Sequence, residues 1–388
     1  MDVLKSLRVI DLGNVVTGPY ACMLLGELGA DVIKVERPGE GDAFRAFKNG
    51  LYSPQFQSHN RHKRSITLDT TRPGGIDVLK ELLETADVLV VNNRPGVSEK
   101  LGIGYEAVHR LNPRLVYCSI TGFGPDGPYA KRPAYDNVGQ VLSSWLSHFH
   151  QSDDPRIPGP AVSDNITGIF GLIGVLGALY EREKSGVGRL VEVSMLEATM
   201  AFANEPIGQY LATGMPLVHL YRGALSQAYI LKCKDGGRIG LHMSSREKFW
   251  QGLAAAIERP DLLQRYPDRP SRVEHYKEVA EELALIFATR TRDEWEARLQ
   301  AHDVPHAPER LAHELQDDPQ VRHLGLFHEM EHPRHGKVKA LRRAIRYDGQ
   351  RGGMARPPPD LGEHTEEILS EIGFSKERIA GLRSSGLI

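Results

Sequence analysis

The amino-acid sequence predicts an α/β fold with a mostly parallel sheet, and two observations lead to this prediction. Across the first two hundred residues, short β-rich apolar runs alternate with segments of helical periodicity, a pattern typical of βαβ units with right-handed crossovers. The chain has 388 residues, of which 40% are hydrophobic and 25% are charged. It is therefore long and apolar enough to fold as two or three domains, and disorder as its dominant state is excluded.

The individual elements of this first region follow from its apolar periodicity. Strands are expected at Leu7–Leu12, Asp31–Glu36, Ser65–Leu68, Val88–Asn92, Leu115–Ile120 and Leu190–Val193. Helices are expected near Tyr20–Leu28, Gly75–Thr85, Tyr105–Leu111 and Asn137–Ser147, and a longer helix is expected to follow Asp164 and run to about Lys184.

The rest of the chain has a different pattern. The periodicity is lost where Pro206, Gly214 and Pro216 interrupt it, which indicates a linker. Beyond the linker, a strand pair is expected around Gly236–Gly237, followed mostly by helices, and a terminal helix is expected from Thr365. We therefore divide the chain into residues 1–200, a linker at 201–225, a second region at 226–318 and a C-terminal segment at 319–388.

Charge and cysteine usage narrow the class of protein. With 48 Lys and Arg against 50 Asp and Glu, the net charge is −2, which argues against a dedicated nucleic-acid binder but leaves phosphate-bearing small ligands open. Cys22, Cys118 and Cys233 are scattered, so we expect no disulfide framework and a reducing compartment. The longest apolar run, Ile169–Tyr180, is shorter than the about 20 residues that span a bilayer. We expect a cytoplasmic protein without a membrane partner.

Two loops that follow predicted strands are candidate phosphate contacts. The turn Asp11–Pro19 contains glycine but lacks the G-x-G-x-x-G pattern of dinucleotide sites, so an ordinary strand-to-helix turn is an equal alternative. Arg37 follows the second strand, where a doubly wound sheet faces the adenosine end of a nucleotide. A solvated arginine is the alternative there, and the basic cluster Arg61–Arg64 allows the same two interpretations.

Asp164 directly precedes the predicted long helix, and by itself it is best interpreted as an N-cap that stabilises the helix by about 1 kcal/mol. However, Gly168, Gly171, Gly174 and Gly177 recur within that helix at every third position. Four helical glycines cost about 3–4 kcal/mol relative to alanine, which makes sense where a backbone or a ligand must approach closely. Asp164 is therefore also a candidate catalytic carboxylate.

The segment His328–His332 matches the H-E-x-x-H signature of zinc proteases. That chemistry needs both histidines on one helical face. Pro333 follows directly and disfavours the helical conformation at His332, and the surrounding pattern favours a strand. A zinc hydrolase using His328, Glu329 and His332 is therefore only a remote alternative.

Several further segments, in order along nearly the whole chain, resemble the class III CoA-transferase family. This family includes formyl-CoA transferase, the carnitine and bile-acid CoA-transferases and the related α-methylacyl-CoA racemases. The matching segments are Leu7–Gly13, Gly18–Pro19, Gly29–Gly39, Asn60–Asp69, Arg94–Val97, Asn112–Tyr117, Thr121–Pro128, Gly186–Arg189 and Leu361–Thr365.

The resemblance implies a Rossmann-like large domain built from both termini, a smaller α+β domain and an interlocked homodimer. It also implies CoA transfer from an acyl-CoA donor to a carboxylic acid, with Asp164 as the nucleophile that forms an anhydride and then an aspartyl-CoA thioester. A carboxylate with an ordinary pKa of about 4 is ionised at neutral pH and needs no general base.

The resemblance further implies which residues contact CoA, the cosubstrate, and it implies no metal. These residues are Val16, Thr17, Arg37, Leu68, Asp69, Thr70, Thr71, Asn92, Asn93, Arg94, Lys100, Pro133, Ala134, Tyr135 and Asp136.

Two departures from the family pattern bear on the substrate. Formyl-CoA transferases have a glutamine at the position of Val16 and a run of glycines at Arg222–Ala228, so oxalate and formyl-CoA are disfavoured. The racemases have Gly-His-Asp at Ala134–Asp136 and use that histidine for proton transfer. A tyrosine such as Tyr135, with an ordinary pKa near 10, is a poor replacement base. A racemase is therefore the alternative to the favoured transferase.

Overall fold

A computed structural model describes residues 2–48, 50–149, 155–157, 159–215, 220–244, 247–353 and 356–388. The chain divides into two units. The first contains Met1–Ser147, Ser152–Gly208 and Leu324–Ile388, and the second contains His148–Gln151 and Gln209–His323.

A six-stranded parallel sheet forms the centre of the first unit. Its strands are β1 (Arg8–Asp11), β2 (Asp31–Glu36), β3 (Lys63–Thr67), β4 (Val88–Val91), β5 (Val116–Thr121) and β6 (Leu190–Ser194). They lie side by side in the order β3-β2-β1-β4-β5-β6, and each pair of neighbours is parallel. The predicted parallel α/β sheet is therefore confirmed, and every end of the predicted strands lies within two residues of an observed end.

Helices cover both faces of this sheet. They are α1 (Thr17–Glu27), α2 (Pro54–Asn60), α3 (Pro73–Glu84), α4 (Val97–Lys100), α5 (Tyr105–Leu111), α6 (Asp136–Leu142), α7 (Val162–Ser185) and α8 (Met195–Phe202), with short 3₁₀ turns at Ala43–Phe47 and Leu146–His148. Helix α9 (Asn204–Thr213) follows and contains the boundary between the two units. Neighbouring residues of β1 illustrate the two-sided burial, because Val9 and Ile10 belong to separate apolar clusters. This is the burial expected of a parallel sheet.

Helices α1 and α7 cross closely because Gly168, which has no side chain, lies at the crossing. A Cβ atom on Gly168 would lie only 2.9 Å from the carbonyl oxygen of Thr17, and one on Gly174 would lie 2.5 Å from Val191. A Cβ on Gly177, by contrast, would meet no atom of the described residues within 4 Å. Three residues turn a helix by about 300°, so the four glycines rotate around α7 and do not share one face.

Helix α7 is long and apolar enough to cross a membrane by length and composition alone. Half of its most apolar 18-residue window is buried against the rest of the protein. Core helices of globular domains have the same two properties, so this feature does not by itself indicate a membrane span.

The second unit contains an antiparallel sheet packed against helices. Its strands are β7 (Ala228–Lys232), β8 (Arg238–His242) and β9 (His306–Pro308), in that order. Its helices are α10 (Tyr221–Ser226), α11 (Glu247–Ala256), α12 (Asp261–Arg265), α13 (Arg269–Glu274), α14 (Tyr276–Phe287) and α15 (Arg292–Ala301), and α16 (Pro319–Leu324) follows. Trp250 and Trp295 are buried in its core. The expected strand pair around Gly236–Gly237 is observed as β7 and β8.

The C-terminal segment of the first unit packs beside β3. It contains the antiparallel strands β10 (Phe327–His332) and β11 (Gly336–Leu341), then α17 (Thr365–Glu371) and α18 (Lys376–Ser384). The backbone N–H of His364 donates to the carbonyl of Ser65 at 2.9 Å, and that of Gly362 donates to the Ser65 hydroxyl at the same distance. Asp69 likewise donates its backbone N–H to Leu387.

The stretch 201–225, predicted to be a linker, is largely helical in its described part. Pro206 lies in the first turn of α9, where no intrahelical N–H bond is needed. Gly214 directly follows the helix with a φ of 69°, as is common at helix C-termini. These two residues therefore mark the ends of a helix, while Pro216 lies outside the described residues.

Helix α6 is shorter than the helix predicted at 137–147. It ends at Leu142, and Ser144 has a left-handed φ of 67°, which a continuing helix does not allow.

Candidate active site

The site lies between the neighbouring strands β1 and β4. The chain continues from β1 to one side of the sheet and from β4 to the other, so this is the topological switch point of the sheet. Asn14, just after β1, donates its backbone N–H to the Asn92 side chain, just after β4, at 2.9 Å. The Asn92 amide group in turn donates to the Asn14 carbonyl at 2.8 Å and to the Thr17 hydroxyl at 3.0 Å. Open α/β sheets bind ligands at this switch point, outside the carboxyl ends of the strands.

A cavity of about 220 Å³ opens at this point. Its lining includes the predicted site residues Val16, Thr17, Asn92, Asn93, Arg94, Pro133, Ala134, Tyr135 and Asp164. It also includes Asn14 and Val15, which lie in the candidate turn Asp11–Pro19, and residues that the sequence reasoning did not identify, namely Pro95, Ile120, Thr121, Gly122, Ala130, Arg132 and Met195. Most of these follow β1, β4 or β5, and only the strand order brings those ends together.

Asp164 is the carboxylate in this lining, and it lies inside helix α7. The helix begins at Val162, and its N-cap residue is Ala161, so the prediction that Asp164 precedes the helix as its cap is wrong. The backbone N–H of Asp164 donates instead to the carboxylate of Asp136, at 3.1 Å. Since Asp136 satisfies this N–H group, the Asp164 side chain is not needed for capping.

The environment of Asp164 changes its acidity. Burial and the nearby negative charge of Asp136 together raise the pKa of Asp164 to about 7, and burial is the larger of the two causes. The expectation of an ordinary pKa near 4 is therefore wrong for this carboxyl group. Near neutral pH it is close to half ionised, a property that clusters at functional sites.

Positive charge also lines the cavity. Arg94 and Arg132 are both exposed there, and the Arg132 guanidinium lies over the ring of Tyr129 at 3.8 Å. Among the described lining residues, two arginines thus accompany one carboxylate, which favours anionic ligands. Arg132 was missed in the sequence, although it directly precedes the predicted contact residue Pro133.

The remaining predicted contacts lie outside this lining, as far as the described residues extend. Arg37 is exposed at the end of β2 and lies 3.3 Å from Glu40, and Lys100 is exposed in α4. Leu68 is buried in the core, so it can offer a ligand only its backbone. Asp69, Thr70 and Thr71 form a turn in which the Asp69 carboxylate accepts the Thr71 N–H at 3.1 Å. Asp136 instead contacts Asp164.

The zinc-hydrolase hypothesis for His328, Glu329 and His332 is wrong. These residues lie on strand β10. A strand rises about 3.3 Å per residue, so its positions i and i+4 are about 13 Å apart. His328 and His332 are therefore too far apart to bind one zinc ion.

His332 lies instead near His335 and Asp360, with one ligand-type atom from each within 4.8 Å of the others. The Nδ1 atom of His332 accepts the backbone N–H groups of Arg334 and His335, at 3.1 and 3.3 Å. A neutral histidine that accepts through Nδ1 carries its proton on Nε2. Nε2 is the atom that faces Asp360, so it is not available as a metal ligand in this tautomer. Arg334 also already neutralises Asp360, at 2.6 Å.

The strand order is that of the Rossmann type, and the switch-point cavity with its partly buried carboxyl group is a candidate ligand site. Residues 4–365 match the sequence profile of CoA-transferase family III. The chain belongs to this family, and it is therefore an enzyme.

Similar proteins agree with this assignment. The chain is 34% identical to succinyl-CoA:glutarate CoA-transferase of Mus musculus, over 100% of this chain and 91% of that protein. It is 33% identical to formyl-CoA:oxalate CoA-transferase of Rhodopseudomonas palustris strain BisA53, over 99% and 97% of the two chains. Among solved structures, a CAIB/BAIF family protein from Brucella suis superposes with a TM-score of 0.84 and 29% identity, covering 95% of this chain and 98% of that one.

Proposed function

We propose that this protein moves CoA from an acyl-CoA donor to a carboxylic acid acceptor, with Asp164 as the covalent nucleophile. The observation that carries the proposal is the partly buried carboxyl group of Asp164 in the switch-point cavity. The membership of the chain in CoA-transferase family III supplies the reaction class.

The proposed reaction balances without water or a further reactant. The Asp164 carboxylate attacks the thioester carbonyl, the C–S bond breaks, and a mixed anhydride and CoA thiolate result. The thiolate then attacks the aspartyl carbonyl, which releases the donor's acid and leaves an aspartyl-CoA thioester. The acceptor carboxylate displaces the thiolate to form a second anhydride. The thiolate finally attacks the acceptor's acyl carbon, and Asp164 is regenerated.

The environment of Asp164 supports this role. The same burial that raises its pKa also leaves the ionised carboxylate poorly solvated, and a less solvated carboxylate is a stronger nucleophile. Asp164 and Gly168 are one helical turn apart, and Gly168 packs against Thr17. The Asp164 side chain is thus held near the N-terminus of α1, whose partial positive charge stabilises anions.

We further propose that CoA extends from the cavity across the carboxyl ends of the strands. Val16, Thr17, Asn92 to Arg94 and Pro133 to Tyr135 would contact its reactive end, because they line the cavity. Arg37 and Lys100, which are exposed, would contact its phosphates, and the turn at Leu68–Thr71 would contact the adenosine end.

For the acceptor we propose a dicarboxylic acid longer than oxalate. Two arginines in the cavity lining provide charge for a second carboxylate. The similar proteins from Mus musculus and Rhodopseudomonas palustris are named for glutarate and oxalate, which are both dicarboxylates. Val16 stands where formyl-CoA transferases have glutamine, which disfavours the oxalate reaction.

We also propose an interlocked homodimer in the cytoplasm. Apolar side chains are exposed on successive helices of the first unit, namely Val141, Ile173, Tyr180 and Phe202, and patches of this kind commonly mark protein contacts. The three cysteines are free and buried, which suits a reducing compartment.

The test of the catalytic proposal is intact-protein mass spectrometry after exposure to a panel of acyl-CoAs. We expect a covalent adduct on the wild-type chain that hydroxylamine removes, and no adduct on Asp164→Asn. Asp136→Asn, which keeps the nucleophile, is the matched control and should still form the adduct.

Two outcomes would contradict the proposal. One is an adduct that persists in Asp164→Asn. The other is exchange of the α-hydrogen of a chiral 2-methylacyl-CoA in deuterated water without an acceptor acid, which would identify a racemase instead.

A further inference from the structure

The turn between β1 and α1 contains a strained residue. Val15 has a φ of 68°, in the left-handed region where a β-branched residue is a rare outlier. It lines the cavity together with Asp164. Such conformations persist only where the surrounding structure holds them, and they cluster at functional sites.

Asp42 and Lys34 hold this turn through hydrogen bonds to its backbone. The backbone N–H of Val15 donates to the two carboxylate oxygens of Asp42, at 3.2 and 3.3 Å. The Lys34 ammonium lies 2.9 Å from the same carboxylate and donates to the carbonyl of Gly13 at 2.7 Å. Both side chains are almost fully buried, at 0–1% exposure. The two backbone groups on either side of Asn14 are therefore fixed by one ion pair.

A second ion pair completes this network. The Asp11 carboxylate accepts the backbone N–H of Gly13 at 2.8 Å and lies 2.8 Å from the Lys63 ammonium. Lys34 is 3.8 Å from Asp11 and joins the two pairs. Burial by itself lowers the pKa of Lys34, but the charges of Asp11 and Asp42 outweigh it and raise that pKa, so the ammonium stays charged.

Stability alone is a poor explanation for these four buried charges. The cost of removing ions from water is about as large as their mutual attraction, so replacing a buried pair by apolar residues is often neutral or stabilising. The network does, however, contact the backbone of the turn at two positions, Gly13 and Val15, on either side of Asn14. The hydrogen bonds of the network thus hold the backbone of this turn in one conformation.

The turn leads directly to the nucleophile. It ends at the start of α1, where the backbone N–H groups of Val16, Thr17 and Gly18 have no hydrogen-bond partner among the described residues. Gly168, one turn after Asp164, packs directly against Thr17. A shift of the turn would therefore move these N–H groups relative to the Asp164 carboxyl group.

We propose that Lys34 and Asp42 are positioning residues for CoA transfer, which hold the turn from Gly13 to Thr17 in its strained conformation beside Asp164. This inference rests on the proposed function. Neither residue lines the cavity, so they act through the backbone that they hold.

The test is a double-mutant cycle on the full-length enzyme, which combines Asp42→Asn with Val15→Gly. We expect Asp42→Asn alone to lower kcat by about tenfold or more, because misplacement of reacting groups by an ångström is costly, while KM for the acyl-CoA changes by less than about threefold. Glycine adopts a positive φ without strain. In the Val15→Gly background the same change should therefore lower kcat by less than about threefold.

Lys34→Met serves as a second variant, and the same rescue by Val15→Gly is expected. The matched control is Arg182→Met, which removes another buried cation of the first unit, 3.0 Å from Asp87 and distant from the turn in sequence. It should lower the melting temperature without changing kcat.

Two results would overturn the positioning role while leaving the proposed function intact. One is that Asp42→Asn lowers kcat equally in the wild-type and Val15→Gly backgrounds. The other is that kcat is unchanged in Asp42→Asn and Lys34→Met. A wild-type protein that transfers CoA from none of a broad panel of acyl-CoAs would overturn both proposals. Failure of the positioning role can thus be distinguished from failure of the proposed function.

Discussion

At the scale of single residues, the proposed chemistry depends on the ionisation of Asp164. Its carboxyl group is partly buried and lies near a second carboxyl group, that of Asp136, and each influence disfavours the charged form. The Asp164 carboxyl group is therefore close to half protonated near neutral pH. The reaction requires the carboxylate, so the fraction of active enzyme rises with pH through this range.

We predict that kcat/KM rises with pH, with a midpoint at about 7 set by the pKa of Asp164. Asp136→Asn removes the neighbouring charge, so it should lower this pKa and shift the midpoint to lower pH. The measurement is a profile of kcat/KM against pH for one acyl-CoA with both proteins. A midpoint that is identical in the two proteins would show that Asp136 does not control the ionisation of the nucleophile.

At the scale of elements, the crossing of α1 and α7 brings Asp164 and the β1–α1 turn together. Gly168 allows this crossing, since any Cβ at that position would press on the Thr17 carbonyl and on Ala21. Gly177 lies in the same helix but would meet no described atom within 4 Å. Gly177 is therefore the matched control for a substitution at Gly168.

We predict opposite effects for alanine at these two positions. Gly168→Ala should lower the free energy of unfolding by about 1–3 kcal/mol through overpacking and should lower kcat, because α7 must move away from α1. Gly177→Ala should stabilise the protein by up to about 1 kcal/mol through higher helix propensity, with no change in kcat. Urea unfolding and steady-state kinetics measure both effects. Equal stability changes in the two variants would contradict the close-crossing argument.

At the scale of the whole molecule, exposed apolar side chains on α6, α7 and α8 support the proposed dimer. Ile173 is 56% exposed and Val141 is 58% exposed. We predict that sedimentation of the wild-type protein gives the mass of two chains, and that Ile173→Glu, which places a charge among apolar neighbours, raises the fraction of single chains. A wild-type protein that sediments at the mass of one chain, 43.1 kDa, would contradict the dimer.

The sequence alone supported a large part of the fold. Its apolar alternation located all six strands of the parallel sheet, because residues buried on both faces give short, continuous apolar runs. The boundary between the two units, at Gly208 and Gln209, lies within the predicted linker, although Pro206 and Gly214 there mark the two ends of α9. The strand favoured at His328–His332 is observed as β10.

The candidate site was only partly accessible from the sequence. Asp164 became a candidate because the glycines that follow it are costly in a helix, and the resemblance to a family implied its proposed role as nucleophile. Arg132 and Val15 carried no local signal that separates them from surface or turn residues, yet both line the cavity. Their proximity to Asp164 depends on contacts between residues that are more than thirty positions apart.

The sequence by itself thus determined the class of fold and the family, and it identified Asp164 as the candidate nucleophile, because these depend on local periodicity and on short motifs. Only the tertiary structure decided the acidity of Asp164, which depends on burial and on Asp136. The tertiary structure also decided the strained turn at Val15 and the ion network beneath it. Burial, charge proximity and close helix crossings arise from strand order and packing, and no single segment of the sequence encodes them.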